Sequence, residues 1–149
     1  MDKVQPITCE ATSNLKVNIP DTQGRYIVLY FYPRDATPGC TTEGQNFRDQ
    51  HQAFVDANAV IYGVSKDDLA KHEKFKAKQT FPFELIADID GSLCEQFGVW
   101  QLKKFMGREF MGIVRSTFII SPSGEIVNAW EKVRVKNHVD EVLKAVQSL

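Results

Sequence analysis

The stretch 26–43, Tyr26-Ile27-Val28-Leu29-Tyr30-Phe31-Tyr32-Pro33-Arg34-Asp35-Ala36-Thr37-Pro38-Gly39-Cys40-Thr41-Thr42-Glu43, decides the fold of this chain and carries its most reactive-looking side chain. Its first seven residues are apolar or aromatic with no polar alternation. They predict a strand buried on both faces, too short to be a buried helix. Thr37 followed by Pro38 predicts a helix start, with Thr37 at the N-cap and proline at the first helical position, where its missing N–H removes no hydrogen bond. The intervening loop, 33–38, therefore links a central strand to a helix, and Cys40 falls in the first helical turn.

Outward from this segment, residues 39–56 place Phe47, Phe54 and Val55 on one helical stripe. Ala59–Val64 predicts a second strand, and Asp67–Gln79 a charged helix whose run from Lys66 to Lys78 forms a solvated face. Phe83–Ala87 is a third strand candidate, ended by the turn-forming Asp88-Ile89-Asp90-Gly91 and followed by a short helix around Leu93–Phe97. Ser116–Ile120 and Glu125–Trp130 flank Ser121-Pro122-Ser123-Gly124, a hairpin signal. In the last segment, 138–149, Val139, Val142, Leu143 and Val146 recur at helical spacing and predict a helix packed on the sheet. Residues 1–25 are expected to form an N-terminal extension, with a hairpin around Leu15–Ile19 covering a sheet edge. The order β-α-β-α-β, then a hairpin and a helix, predicts an α/β fold of thioredoxin-like type, a central mixed sheet flanked by helices. With no internal repeat or linker, residues 1–149 are expected to form a single domain.

Composition narrows the function. The 149 residues are 43% hydrophobic and 25% charged, ordinary for a globular protein. No apolar run approaches the ~20 residues of a membrane helix. The first residues lack the apolar stretch of a secretory signal, so a cytoplasmic location is expected. Eighteen Lys and Arg against nineteen Asp and Glu give a net charge of -1, with no basic excess to drive nucleic-acid binding. Cys9, Cys40 and Cys94 are odd in number and too widely spaced for a zinc knuckle or a Cys-x-x-Cys pair. No metal constellation emerges, and His51, His72 and His138 are expected at the surface. Trp100, Phe105 and Phe110 around Met106 and Met111 fit a core somewhat better than the rim of an entrance. Cys9 and Cys94 are expected to be packing cysteines.

Cys40 is different. Unpaired N–H groups and the positive dipole end of a first helical turn favour a thiolate there, and the thiolate is the nucleophile. Intrinsic nucleophilicity falls as the thiol becomes more acidic, so attack on a peroxide also needs donors that stabilise charge on the departing oxygen. The Thr37 hydroxyl, backbone N–H groups near Cys40 and an arginine could supply them.

Pro33, Thr37 and Cys40 fit the pattern Pro-x-x-x-Thr-x-x-Cys, and the run FYPRDATPGCTTE (31–43) resembles the peroxiredoxin Q (bacterioferritin comigratory protein) family. The similarity extends over DGSLCEQFGVW (90–100), FMGREF (105–110) and RSTFIISPSG (115–124). The resemblance implies a thioredoxin-fold peroxidase that reduces hydrogen peroxide and organic hydroperoxides through Cys40, which becomes a sulfenic acid. It further implies that Pro33 shields that acid, that Thr37 and Arg115 orient the peroxide, and that Glu43 positions local hydrogen bonds. No metal, flavin or heme cofactor is implied; the partners are a hydroperoxide and a thiol reductant such as thioredoxin, glutaredoxin or glutathione, and the protein is expected to be a monomer. One departure matters. Many members carry a second cysteine five residues after the first, where this chain has Gln45. Cys94 or Cys9 after local unfolding, a thiol of a partner chain, or an external thiol could then resolve the sulfenic acid; the external thiol is favoured. A redox sensor or binding module using the same loop without turnover is the alternative, and a disulfide reductase is disfavoured by the single cysteine in the loop.

Overall fold

The computed structural model describes residues 2–149. Its elements are β1 (Ile7–Ala11), β2 (Leu15–Ile19), β3 (Tyr26–Phe31), α1 (Pro38–Asp49), α2 (His51–Asp56), β4 (Ala59–Ser65), α3 (Leu69–Gln79), β5 (Glu84–Ala87), α4 (Ser92–Gln96), β6 (Trp100–Phe105), β7 (Arg108–Ile113), β8 (Ser116–Ile120), β9 (Ile126–Trp130) and α5 (His138–Gln147). One sheet runs β2-β1-β5-β4-β3-β8-β9, and β6 and β7 pair only with each other. β3 is parallel to β4, and β4 to β5, whereas β8 and β9 join antiparallel. The sheet is therefore mixed, in a thioredoxin-like arrangement.

β3 is central and is buried on both faces, as its unbroken apolar run requires. Ile27, Leu29 and Phe31 point into one core, with Val64, Ile86, Phe118 and, from α4, Leu93 and Cys94. Val28, Tyr30 and Tyr32 point into the other, with Phe47, Phe54, Phe75 and Val139, Val142 and Val146 of α5. The period-2 alternation of one strand thus feeds two layers, and α1, α2, α3 and α5 cover one face while α4 covers the other. The N-terminal extension is a β1–β2 hairpin whose first strand meets β5 at Ala11 and Ile86.

Two expectations need correction. The helix foreseen over 39–56 is broken at Gln50, whose ψ of 6° leaves the helical range, and its amide side chain reaches Asp140 on α5. The break turns α2 so that Phe54 enters the core while Val55 stays 47% exposed. The aromatic segment 100–113 is a separate hairpin turned at Met106 and Gly107, both with positive φ, as a tight two-residue turn requires. Phe105, Met106, Phe110 and Met111 are exposed rather than packed in a core.

α1 is tied to the end of α3 by Gln45 Nε2, which donates to Gln79 Oε1 at 2.9 Å, and by Arg48 Nη1, which donates to the Gln79 carbonyl at 2.9 Å. Gly44 faces Phe81 so closely that a Cβ there would lie 2.4 Å from the ring. The helix carrying Cys40 is thereby held at a fixed distance from its neighbour.

Candidate active site

Thr37 is the N-cap residue of α1, with extended φ and ψ of -85° and 154°, and Pro38 opens the helix, so Cys40 is its third residue. The Thr37 carbonyl receives the Thr41 N–H at 2.9 Å. The Gly39 and Cys40 N–H groups belong to the first turn, which has no helical acceptors for them. The Thr37 hydroxyl does not cap the helix; it donates to the Arg34 carbonyl at 2.9 Å, which leaves its oxygen lone pairs as acceptors.

Arg115, immediately before β8, reaches across to this turn. Its Nη2 lies 3.3 Å from Cys40 Sγ and its Nη1 2.7 Å from Glu43 Oε1. A Cβ on residue 39 would come within 3.3 Å of Nη2, so the glycine leaves the guanidinium room to meet the sulfur. Glu43 is fully buried, one turn beyond Cys40, with Oε2 lacking a partner among the described residues. Burial raises its carboxyl to about 7, a shift that the charge and hydrogen bond of Arg115 only partly oppose. Cys40 itself is 2% exposed. The structure therefore brings Cys40, Glu43 and Arg115 into one contact group, with Thr37 on the preceding turn.

The loop leading to α1 is anchored by a buried network that sequence reasoning missed. Tyr32 Oη donates to Asp35 Oδ1 at 2.5 Å, and His72 Nδ1 lies 2.6 Å from Asp35 Oδ2. His72 Nε2 faces the Ile86 carbonyl at 2.9 Å, and the Asp35 N–H donates to Asp67 Oδ2. His72 is thus a core residue and not a surface one. Its spacing from Phe75, another inward residue of α3, was the available signal. His138 is also buried, 2.8 Å from the Thr117 hydroxyl, and burial with the nearby Arg115 charge lowers its ring to about 4. His51 is half-buried, against Phe83.

Pro33 and Thr37 form one wall of a cavity of about 760 Å³, and Trp100, Lys103, Phe110 and Ile113 of the β6–β7 hairpin form the opposite wall. Of the aromatic segment, Trp100, Phe110 and Met111 line this cavity, whereas Phe105 and Met106 do not. Pro33 is itself exposed at this mouth.

Cys40 belongs to the core on the α1 face of the sheet, whereas Cys94 belongs to the other core and Cys9 packs against that one. Cys9 is pushed up to about 11, first by burial and then by Asp88. Cys94 is fully buried, and burial with a hydrogen bond to Asp88 drives its thiol further upward. Asp88 receives the Leu93 and Cys94 N–H groups at 3.0 and 2.8 Å, fixing the start of α4. All three cysteines are free.

The AhpC/TSA family profile matches residues 1–129. The Bacillus subtilis protein named Peroxiredoxin Bcp is 52% identical over 133 residues, covering 89% of this chain and 85% of that protein. The Peroxiredoxin Bcp of Xanthomonas campestris pv. campestris is 48% identical over 125 residues, covering 84% and 78%. A solved Xanthomonas campestris peroxiredoxin Q superposes with a TM-score of 0.90 at 42% identity, over 95% of this chain and 90% of that one. The structure of the Xanthomonas campestris bacterioferritin comigratory protein, solved in trapped intermediate and ligand complexes to explain alkyl peroxide reduction, gives 0.91 at 39% identity over 99% and 98%.

Proposed function

The chain belongs to the AhpC/TSA family and is a peroxiredoxin, a thiol-dependent peroxidase, and from that premise we propose that Cys40 attacks the peroxide and is regenerated by an external thiol. The observation that carries the first half is the 3.3 Å contact between Cys40 Sγ and Arg115 Nη2 at the start of α1. A fixed cation and the unpaired first-turn N–H groups stabilise the negative charge that develops as sulfur attacks and the O–O bond breaks. The peroxide O–H donates to Thr37 Oγ1, whose own proton is engaged by the Arg34 carbonyl. Sulfur bonds to the terminal oxygen, the O–O bond breaks, and Cys40 becomes a sulfenic acid while water or an alcohol departs. Glu43 holds Arg115 in register, and Pro33 limits access of water to the oxidised sulfur.

The second half is supported by the separation of the cysteines: Cys94 and Cys9 lie in the core on the far side of the sheet, and position 45 is glutamine. The cavity walls of Trp100, Phe110 and Ile113 suit organic hydroperoxides as well as hydrogen peroxide. Reductants such as thioredoxin, glutaredoxin or glutathione, a monomeric state and a cytoplasmic location complete the proposal.

Mass spectrometry after one equivalent of peroxide without reductant tests it. A sulfenic or further oxidised Cys40, with Cys9→Ser and Cys94→Ser variants turning over normally in excess thiol and Cys40→Ser inert, is expected. A disulfide joining Cys40 to either other cysteine would overturn external resolution, and an active Cys40→Ser would overturn the assignment of the attacking sulfur.

A further inference from the structure

Attack on a hydroperoxide leaves an alkoxide or hydroxide that must gain a proton, and the residues described so far do not supply one. Arginine stays protonated throughout, so Arg115 can donate hydrogen bonds to the oxyanion but cannot give it a proton. The Thr37 proton is engaged with the Arg34 carbonyl, and Glu43 is fully buried on the other nitrogen of Arg115.

Lys103 is placed differently. It stands on β6, on the cavity wall facing Pro33 and Thr37. Its Nζ donates to the Ile113 carbonyl at 3.0 Å, its one hydrogen bond among the described residues, and no carboxylate neutralises it there. The side chain lies across Gly112, where a Cβ would come within 3.0 Å of Lys103 Cδ, so the glycine provides the track along which the amine reaches the cavity. Burial, then the charge of Arg115, makes the ammonium more acidic than an ordinary lysine, while Cys40 acts in the opposite sense. The cavity that Lys103 lines is also lined by Thr37, the N-cap of the helix whose first turn carries Cys40.

We propose, resting on the assignment of Cys40 as the attacking sulfur, that Lys103 is a catalytic residue that protonates the oxygen leaving the hydroperoxide. The sulfur lone pair forms the S–O bond to the terminal oxygen, and the O–O electron pair departs with the second oxygen. Sulfur is oxidised by two electrons and the peroxide is reduced by two. The leaving RO⁻ takes a proton from the Lys103 ammonium and departs as ROH, and the neutral amine regains its proton from water. Water has a pKa of about 15.7 and an ordinary lysine about 10.4, so the transfer is downhill.

The test compares single-turnover oxidation of Lys103→Met and Lys103→Gln by hydrogen peroxide and by peracetic acid. Acetate, the conjugate base of a carboxylic acid, leaves without needing a proton. The rate with hydrogen peroxide should fall by about a hundredfold, within the ordinary range for a general acid, and the rate with peracetic acid by less than about threefold. Equal losses with both oxidants, or none with either, while Cys40→Ser is inert, would overturn the role of Lys103 and leave that of Cys40 standing. Oxidation proceeding in Cys40→Ser would instead overturn the assignment beneath it.

Discussion

Gly39 and Arg115 meet so closely that a side chain would crowd the contact: a Cβ on 39 would lie 3.3 Å from the guanidinium nitrogen that itself lies 3.3 Å from Cys40 Sγ. Gly39→Ala should therefore separate stability from activity. Alanine in a helix is favoured over glycine by up to about 1 kcal/mol, so the melting temperature should hold or rise. Arg115 must give by a few tenths of an ångström at the nitrogen that meets the sulfur, and the rate of peroxide consumption should fall by roughly tenfold. Calorimetry and stopped-flow oxidation on the same sample would read both effects.

Arg115→Met removes the cation from the sulfur and strands Glu43. The oxidation rate should fall by about 10²–10³, the usual loss for one preorganised donor. Stability should fall by about 3 kcal/mol, because a buried carboxylate loses its partner. Adding Glu43→Gln should restore the stability, read by urea denaturation, without restoring the rate.

The Glu43 carboxyl gives stability a definite dependence on pH. Its folded value of about 7 lies above the 4.5 of an ordinary glutamate. Between those values the folded protein keeps a proton that the unfolded chain releases, so stability falls as pH rises through this window and levels off above it. The stability of the parent relative to Glu43→Gln should decline by at most about 3 kcal/mol between pH 4.5 and 8. A pH-independent difference in urea denaturation would contradict this.

His72→Leu should destabilise the protein by about 3–5 kcal/mol, because Asp35, 2.6 Å from His72 Nδ1, would be left buried and poorly paired. Asp35 belongs to the loop before Cys40, so the variant should also oxidise more slowly. A melting temperature equal to that of the parent would remove the anchoring role of the network.

The fold was legible where one signal dominated. The unbroken apolar run at 26–32 could be only a buried strand, and Thr37-Pro38 marked the start of α1 to the residue. The stripe Val139, Val142, Val146 likewise gave α5 its buried face. Gln50 carried no breaker signal, and its side-chain contact, Asp140 on α5, lies 90 positions away. The hairpin 100–113 was hidden because its aromatic residues are exposed, and hydrophobicity alone predicts the opposite. Within the site, Cys40 and Thr37 announced themselves by helix-start chemistry. The pairing of Arg115 with Glu43 spans 72 positions and is fixed only by the sheet. His72 was misplaced because a charged helix hides one inward-facing polar side chain, whose partner, Asp35, lies 37 positions away.

The β6–β7 hairpin pairs with no strand of the main sheet, and Leu102, Phe105, Met106, Phe110 and Met111 on it are solvent-facing. Selection can rewrite those exposed positions without touching Lys103, the buried Ile113 or the turn that holds the sulfur. Appetite for bulky or small oxidants can drift from lineage to lineage on a scaffold whose reactive centre stays constant, much as interchangeable jaws fit a single vice.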